Sequence, residues 1–205
     1  MKRSLLALAA VSALTLSAFG AEEYKFDTNH TSVSFTVRHL LISTVPGRFK
    51  DVTGTIALDE KDMTRSSVTA VIRTASIDTN NPTRDNDLRS ANFFEVEKYP
   101  EATFKSRRIE KRGDQWVAIG DLTIKDVTKE VELPFDFNKI TTPRGPIVGA
   151  TISIKINRKD YHINYNRLMD NGGAVVSDDV KLELSVEAKP AAAAPATPPP
   201  AEPKK

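Results

Sequence analysis

Apolar and polar residues alternate with a period of two in five segments of this chain. The segments cover residues 32–37, 67–72, 130–137, 151–156 and 180–187. Because successive side chains of a β-strand point to opposite faces, this alternation predicts strands with one apolar and one polar face. Three further strands are predicted at 47–58, 103–111 and 115–124, the last two joined by a turn around Gly113-Asp114.

These eight predicted strands are joined by short polar connections, and long helical patterns are missing. Strands with one apolar face are typical of an antiparallel sheet that covers an interior. Closing about eight strands into a barrel removes the sheet edges and leaves an interior that side chains or one small ligand can fill. The sequence therefore predicts an all-β fold, an eight-stranded antiparallel barrel. Pro134, inside one predicted strand, indicates an edge or a bulge there.

One segment departs from the alternation and predicts a short helix over residues 82–91. An asparagine that can cap a helix precedes Pro82, and proline is favoured in a first turn. Leu88 is at helical spacing from Ala91. The helix leads into Phe93-Phe94, which we expect to pack inward, so that the segment would cover one mouth of the barrel.

Both ends of the chain are predicted to lie outside this domain, which is expected at residues 21–188. Residues 1–20 combine a basic start, an apolar run and small residues before a cleavage point after Gly20, as in a secretory signal peptide. A membrane anchor is the alternative, but the run is shorter than the ~20 residues that span a bilayer. Residues 189–205 are rich in proline and alanine and predict an extended tail, with a tether as the alternative. We therefore expect a periplasmic protein.

Composition argues against several classes of function. The chain has 29 basic and 27 acidic residues, and the charges balance once Lys2 and Arg3 of the predicted signal peptide are removed. A balanced chain lacks the basic stripe that a nucleic-acid partner or electrostatic docking on anionic lipid requires, and we expect no stable membrane insertion. The absence of cysteine excludes thiolate catalysis, iron–sulfur clusters and cysteine-ligated zinc.

The sequence carries no recognisable catalytic or metal-binding motif. It lacks Gly-x-Ser-x-Gly, and the spacing of His30, His39 and His162 fits no compact zinc site. We therefore expect a protein that is not an enzyme and that holds no metal or cofactor apart from a bound lipid. An enzyme that uses the histidines or the helix carboxylates on a lipid-like substrate is an alternative.

Ordered strings of residues along the chain resemble a known family. The strings cover 26–33, 37–43, 75–79, 84–90, 93–96, 99–104, 120–124, 127–129 and 156–161. In this order and spacing they resemble the YceI-like family of exported, lipocalin-like polyisoprenoid-binding proteins, over residues 24–188. The resemblance implies an eight-stranded lipocalin-like barrel with a helix at one end. It also implies an elongated apolar cavity for an isoprenoid chain, such as a polyprenyl chain or an isoprenoid quinone, or for another long amphiphile, such as a fatty-acid-derived lipid.

One position departs from the family pattern. Where the family usually has Arg-Asp-x-His-Leu-Arg-Ser, this chain has Asp87 in place of the histidine. If that histidine contacts a ligand head group in the relatives, the head-group preference of this protein is expected to differ.

Two sets of residues are candidates for the ligand site. The apolar candidates for the cavity wall are Val33, Phe35, Val37, Phe49, Ile72, Phe94, Phe104, Ile119, Phe135 and Ile154. Each would also fit an ordinary packed core, because inward side chains fill small barrels as often as they line cavities. The polar candidates for the mouth are Arg38, His39, Arg84, Asp85 and Arg89.

The leading hypothesis is a non-catalytic binding protein for a hydrophobic small molecule. Burying one methylene contributes about 0.8 kcal/mol, so a long chain supplies the affinity and the polar groups select the ligand. The alternative is a structural or adaptor protein with a packed barrel and a functional tail. An exposed helix at the mouth would also allow a homodimer.

Overall fold

The computed structural model describes residues 21–40, 42–166 and 175–191. The strand segments are β1 (Glu22–Phe26), β2 (Ser32–His39), β3 (Ser43–Phe49), β4 (Val52–Leu58), β5 (Ser67–Arg73), β6 (Ile77–Asp78), β7 (Glu101–Arg112), β8 (Gln115–Ile124), β9 (Val127–Thr142), β10 (Gly145–Asn157) and β11 (Val176–Pro190). Helix α1 spans Pro82–Arg89. The predicted signal peptide and tail residues 192–205 lie outside the described residues. Within the described ranges, no helix is long and apolar enough to cross a bilayer.

The eleven segments build one closed antiparallel barrel of eight strands, because three barrel strands are each broken in the middle. β1 and β2 lie end to end along the same edge of β11. β4 pairs with β1, and β3 pairs with β2. On the next strand, β5 pairs with β4, and β6 pairs with β3. The breaks fall at residues 27–31, 50–51 and 74–76, and the β1–β11 pairing closes the ring. The predicted fold class is confirmed.

The lower half of the barrel is packed solid. We call the end that carries α1 the upper end; the β2–β3 hairpin and the β10–β11 connection lie there too. The hairpins β7–β8 and β9–β10 mark the lower end. Two buried clusters fill the barrel from this end: Tyr24, Leu58, Val148 and Ala188, and then Phe104, Ile109, Ala118 and Phe135.

Element boundaries differ from the sequence prediction where pairing or capping decides them. β11 runs two residues past the predicted boundary at 188, because β1 supplies pairing partners for Lys189 and Pro190. Helix α1 ends at Arg89, and the backbone N–H of Ser90 closes its last turn on the carbonyl of Asp87. Pairing between β9 and β10 stops at Phe135, so Pro134 lies at a local sheet edge, where a missing N–H costs nothing.

Candidate ligand-binding cavity

The upper half of the barrel holds a cavity of about 390 Å³. This volume is within the roughly 300–1,000 Å³ of small-molecule sites. The wall is mostly apolar and comes from β2, β3, β5, β7, β8, β10 and β11, together with α1 and the β10–β11 connection. The cavity stops where the packed half begins: Ala102 lines it, whereas Phe104, the next inward-facing residue of β7, belongs to the core. The barrel therefore combines a solid base with an open upper compartment.

Six of the ten apolar candidates lie together in the cavity wall. They are Val33, Phe35, Val37, Phe49, Ile72 and Phe94. Three of their rings form a continuous aromatic contact: the centroids of Phe35 and Phe49 are 5.8 Å apart, and those of Phe49 and Phe94 are 5.6 Å apart. Whether these residues bind a ligand stays a prediction.

A glycine on β3 makes room for one of these rings. Gly47 is directly opposite Phe35 in the β2–β3 pair. A Cβ built at Gly47 would lie 2.2 Å from the Phe35 ring, closer than any van der Waals contact. A side chain at this position would therefore displace the ring from the wall.

The structure corrects the prediction for the other four apolar candidates, none of which lines the cavity. Phe104 and Phe135 pack in the lower core cluster. Ile119 is fully buried, but strand alternation places it on the opposite face of β8 from Leu122, which does line the cavity. Ile154 lies between Ile152, which packs on the core, and Ile156, which lines the cavity. Alternation shows which side chains point inward, but it does not show where along the barrel axis the packed core ends and the cavity begins.

Sequence reasoning missed a larger part of the wall. The missed apolar members include Val45, Leu88, Leu122, Ile124, Ile156, Ile163, Val180 and Leu182. Five of these, on β8, β10 and β11, belong to segments that the sequence predicts as strands, so the signal for an inward face was present. The sequence does not show the pairing register between distant strands, which places these strand ends at the same height in the barrel as Val33 and Phe49.

Helix α1 is held by its cap and by one buried carboxylate. The Asn81 side chain accepts a hydrogen bond from the backbone N–H of Arg84 at 3.0 Å. Asp85 is buried and accepts two bonds from Thr79, from its N–H at 2.9 Å and from its hydroxyl at 2.5 Å. The structure therefore corrects the assignment of Asp85 to the mouth: its carboxylate positions the helix and does not line the cavity.

Of the basic residues that were predicted at the mouth, two line the cavity and two do not. Arg84 and His39 line the cavity, and Arg84 is oriented by bonds from Nε and Nη2 to the hydroxyl and carbonyl of Thr79. Arg89 instead donates to the carbonyls of Ala75 and Ile77, and so fastens α1 to the break between β5 and β6. Arg38 is exposed and alternates with the two cavity residues that flank it on β2, so it faces outward. Arg89 and Arg38 are thus not part of the wall.

The residue that departs from the family pattern does reach the cavity. Asp87 lies in the last turn of α1 and contributes to the wall together with Arg84. Its carboxylate accepts a hydrogen bond from the Asn92 amide at 2.8 Å. The upper end of the cavity therefore carries groups of both charges, whereas its lower part is apolar.

The segment after β10 contributes polar residues to the wall that were not predicted, among them Arg158 and Tyr161. Arg158 is 5% exposed and donates to the carbonyls of Ser177, Ile163 and Tyr165 and to Asp178. Burial lowers the pKa of Arg158, and the charge of Asp178 opposes that shift. Tyr161 is 2% exposed, and burial, with a smaller effect of the Asp160 charge, raises its pKa to about 12. The cavity wall at Tyr161 is therefore neutral at physiological pH.

A group with metal-ligand atoms lies outside the cavity. Asp27, His30 and Glu187 place one ligand atom each within 4.8 Å of one another. His30 Nδ1 is 2.8 Å from Asp27 Oδ2, and Lys189 Nζ contacts the same carboxylate. These two bonds, that of Lys189 first, hold the pKa of Asp27 well below its ordinary value. The lysine already supplies a cation, so the group ties β11 to the break between β1 and β2; the expectation of no metal stays a prediction.

Known proteins are similar to this chain in sequence and in fold. A family model for the YceI-like domain matches residues 24–188. The UPF0312 protein ECA1782 of Pectobacterium atrosepticum is 40% identical over 192 residues, which are 91% of this chain and 97% of that protein. BcnA of Burkholderia cenocepacia has a similar fold, with a TM-score of 0.71 at 21% identity, over 80% of this chain and 99% of that one. A polyisoprenoid binding domain from Saccharophagus degradans has a TM-score of 0.65 at 15% identity, over 82% and 98% of the two chains.

Proposed function

Because this chain belongs to the YceI-like family, we propose that it binds an isoprenoid-type lipid or another long amphiphile in the upper cavity. The observation that carries this proposal is the apolar cavity of about 390 Å³ above a packed base. Solid packing throughout would have favoured a structural or adaptor role. The Saccharophagus domain, described as polyisoprenoid binding, shares the fold and supports the ligand class.

The distribution of polar groups gives the ligand a direction. The lower wall, at the level of Val33 and Ala102, is apolar, and the charged groups Arg84 and Asp87 lie on α1 at the upper end. A charge moved into the apolar part would lose its hydration without a partner. The apolar chain of the ligand therefore points down toward Phe104, and its polar end lies beside α1.

Apolar contact suffices for the binding energy. Each buried methylene contributes about 0.8 kcal/mol, so a chain of ten carbons provides about 8 kcal/mol before the cost of ordering the ligand. Groups such as Arg84 and Asp87 then determine which head group is accepted. We propose that the protein carries or stores this lipid in the periplasm, without catalysis.

Native mass spectrometry of the protein purified without detergent, followed by lipid extraction, tests this function. Ala102→Leu fills the lower end of the cavity, and Val71→Leu is a control that enlarges a side chain on the outer face of the neighbouring strand. We expect a bound lipid in the wild type and in Val71→Leu, and its loss in Ala102→Leu. A ligand-free wild type that also fails to bind farnesol or geranylgeraniol would overturn the proposal.

A further inference from the structure

Several polar groups in the cavity wall are already engaged by bonds within the protein. Arg158 donates to three carbonyls and to one carboxylate. The side-chain amide of Asn166 is bonded through its nitrogen and its oxygen to the backbone at the start of β11. The Thr79 hydroxyl donates to Asp85 and accepts from Arg84. These bonds leave Arg158, Asn166 and Thr79 little capacity to bind the head group of a ligand.

Two charged side chains of α1 retain bonding capacity. Arg84 uses Nε and Nη2 for Thr79, and its Nη1 donates to no acceptor in the described part of the chain. Asp87 uses Oδ1 for the Asn92 amide, and its Oδ2 accepts no bond from any residue that the structure describes. An arginine nitrogen can only donate, and a carboxylate oxygen can only accept. One open donor and one open acceptor therefore remain on this helix.

The open donor and the open acceptor are adjacent at the upper end of the cavity. Arg84 and Asp87 are three residues apart on α1, so their side chains are neighbours on the helix surface. Both contribute to the cavity wall, as does Leu88 beside them. Arg84 is oriented by the Thr79 hydroxyl, which the buried Asp85 holds in turn. The position of the donor is thus fixed before a ligand arrives.

From this arrangement we propose that Arg84 and Asp87 make the cavity selective for an amphiphile with an uncharged hydroxyl head group, and that Asp87 disfavours anionic head groups. The inference rests on the proposed function and names the head group that it leaves open. A hydroxyl accepts a bond from Arg84 and donates one to Asp87 at the same time. His39, which also lines the cavity, donates or accepts according to its tautomer and so does not discriminate.

Other head groups satisfy only one member of the pair. A diphosphate is attracted by Arg84 and repelled by Asp87, so the two charges largely cancel while the anion still loses hydration. A carbonyl head group accepts from Arg84 but offers no proton to Asp87. A site that hydrogen-bonds a hydroxyl rejects analogues without one, because its own polar groups are then left unpaired.

Titration of the ligand-free protein with geranylgeraniol and with geranylgeranyl diphosphate, which carry the same chain, tests the selectivity. Asp87→Asn is the test variant, because asparagine keeps an oxygen for the Asn92 amide and removes the charge. Asp114→Asn, in the exposed β7–β8 turn at the lower end, is the control with the same change in net charge. We expect the wild type and Asp114→Asn to prefer the alcohol. In Asp87→Asn the ratio of the two affinities should shift toward the diphosphate by about tenfold.

The ratio compares two ligands on the same folded protein, so a change in stability does not alter it. A wild type that binds the diphosphate as tightly as the alcohol would refute the selectivity. Equal ratios in Asp87→Asn and Asp114→Asn would refute the role of Asp87. Both of these results leave lipid binding itself standing. A wild type that binds neither compound would instead refute the proposed function, and this inference with it.

Discussion

The depth of the cavity is set by one aromatic side chain, and its removal is the sharpest test of the proposed site. Phe104 is 8% exposed and packs with Ile109, Ala118 and Phe135. It follows Ala102 on the inward face of β7 and pairs with Leu122; both of these residues line the cavity. Phe104→Ala should therefore join new space to the bottom of the cavity.

The expected effects of Phe104→Ala have opposite signs for stability and for binding. Losing a buried phenylalanine ring lowers the free energy of unfolding by about 3–5 kcal/mol. A ligand that is one five-carbon unit longer could fill the space and regain up to about 4 kcal/mol. This corresponds to a preference for geranylgeraniol over farnesol that rises by up to about a thousandfold.

Denaturant unfolding with and without each alcohol, together with direct titration, measures both effects. Phe137→Ala is the control, because Phe137 packs against the core clusters but does not line the cavity. It should lose stability and keep the wild-type ratio of the two affinities. If Phe104→Ala loses the expected stability but retains the wild-type ratio, Phe104 is not the floor of the ligand site, and the proposed direction of the ligand is wrong.

Three further predictions concern the groups around the barrel. Tyr161 has a folded pKa of about 12, above its ordinary 10.0, so the folded state favours the neutral phenol. Its contribution to the free energy of unfolding is therefore fully present below pH 10 and falls between pH 10 and 12. Alkaline denaturation curves of Tyr161→Phe should show a smaller decline over this range. Asp27 has a lowered pKa because Lys189 bonds to it, so its contribution is present above pH 3.8 and disappears as the pH falls through the folded value. Asp27→Asn should accordingly lose stability at neutral pH but show a shallower acid limb, and an unchanged limb would contradict the pairing. Asp85→Ala leaves both donors of Thr79 without their acceptor and should cost about 1–3 kcal/mol in thermal or urea unfolding, whereas a neutral result would mean that the buried carboxylate does not position α1.

Strand identity could be predicted from the sequence because it depends on local alternation. The inward faces of β2 and β11 are evident from Val33, Val37 and Leu182 alone. The helix was predictable too, since Asn81 and Pro82 encode its start locally. Each of these signals spans a few residues, which is the range over which strand and helix patterns operate.

The division of the barrel into a packed and an open half was not predictable in this way. Phe104 and Phe49 are equally apolar residues on inward strand faces, and only their height in the barrel makes one a core residue and the other part of the cavity wall. That height follows from the register of strands far apart in the chain. The same limit explains why Asp85 and Arg89 were assigned to the mouth: a polar helix shows no local difference between a side chain that binds the backbone and one that faces the cavity.

The strand breaks give a physical reason for this division. Three adjacent barrel strands are interrupted, at 27–31, 50–51 and 74–76, and pairing between β9 and β10 ends at Phe135. Above these points β3 pairs with β6 only at Arg48 and Phe49, β9 and β10 no longer pair, and α1 and its following loop complete the wall. Where strand pairing is interrupted, the wall is wider, and the inward side chains do not all contact one another across the interior. Space therefore remains between them. The packed base holds the buried clusters around Tyr24 and Phe104, and this core allows the upper half to stay open for a ligand.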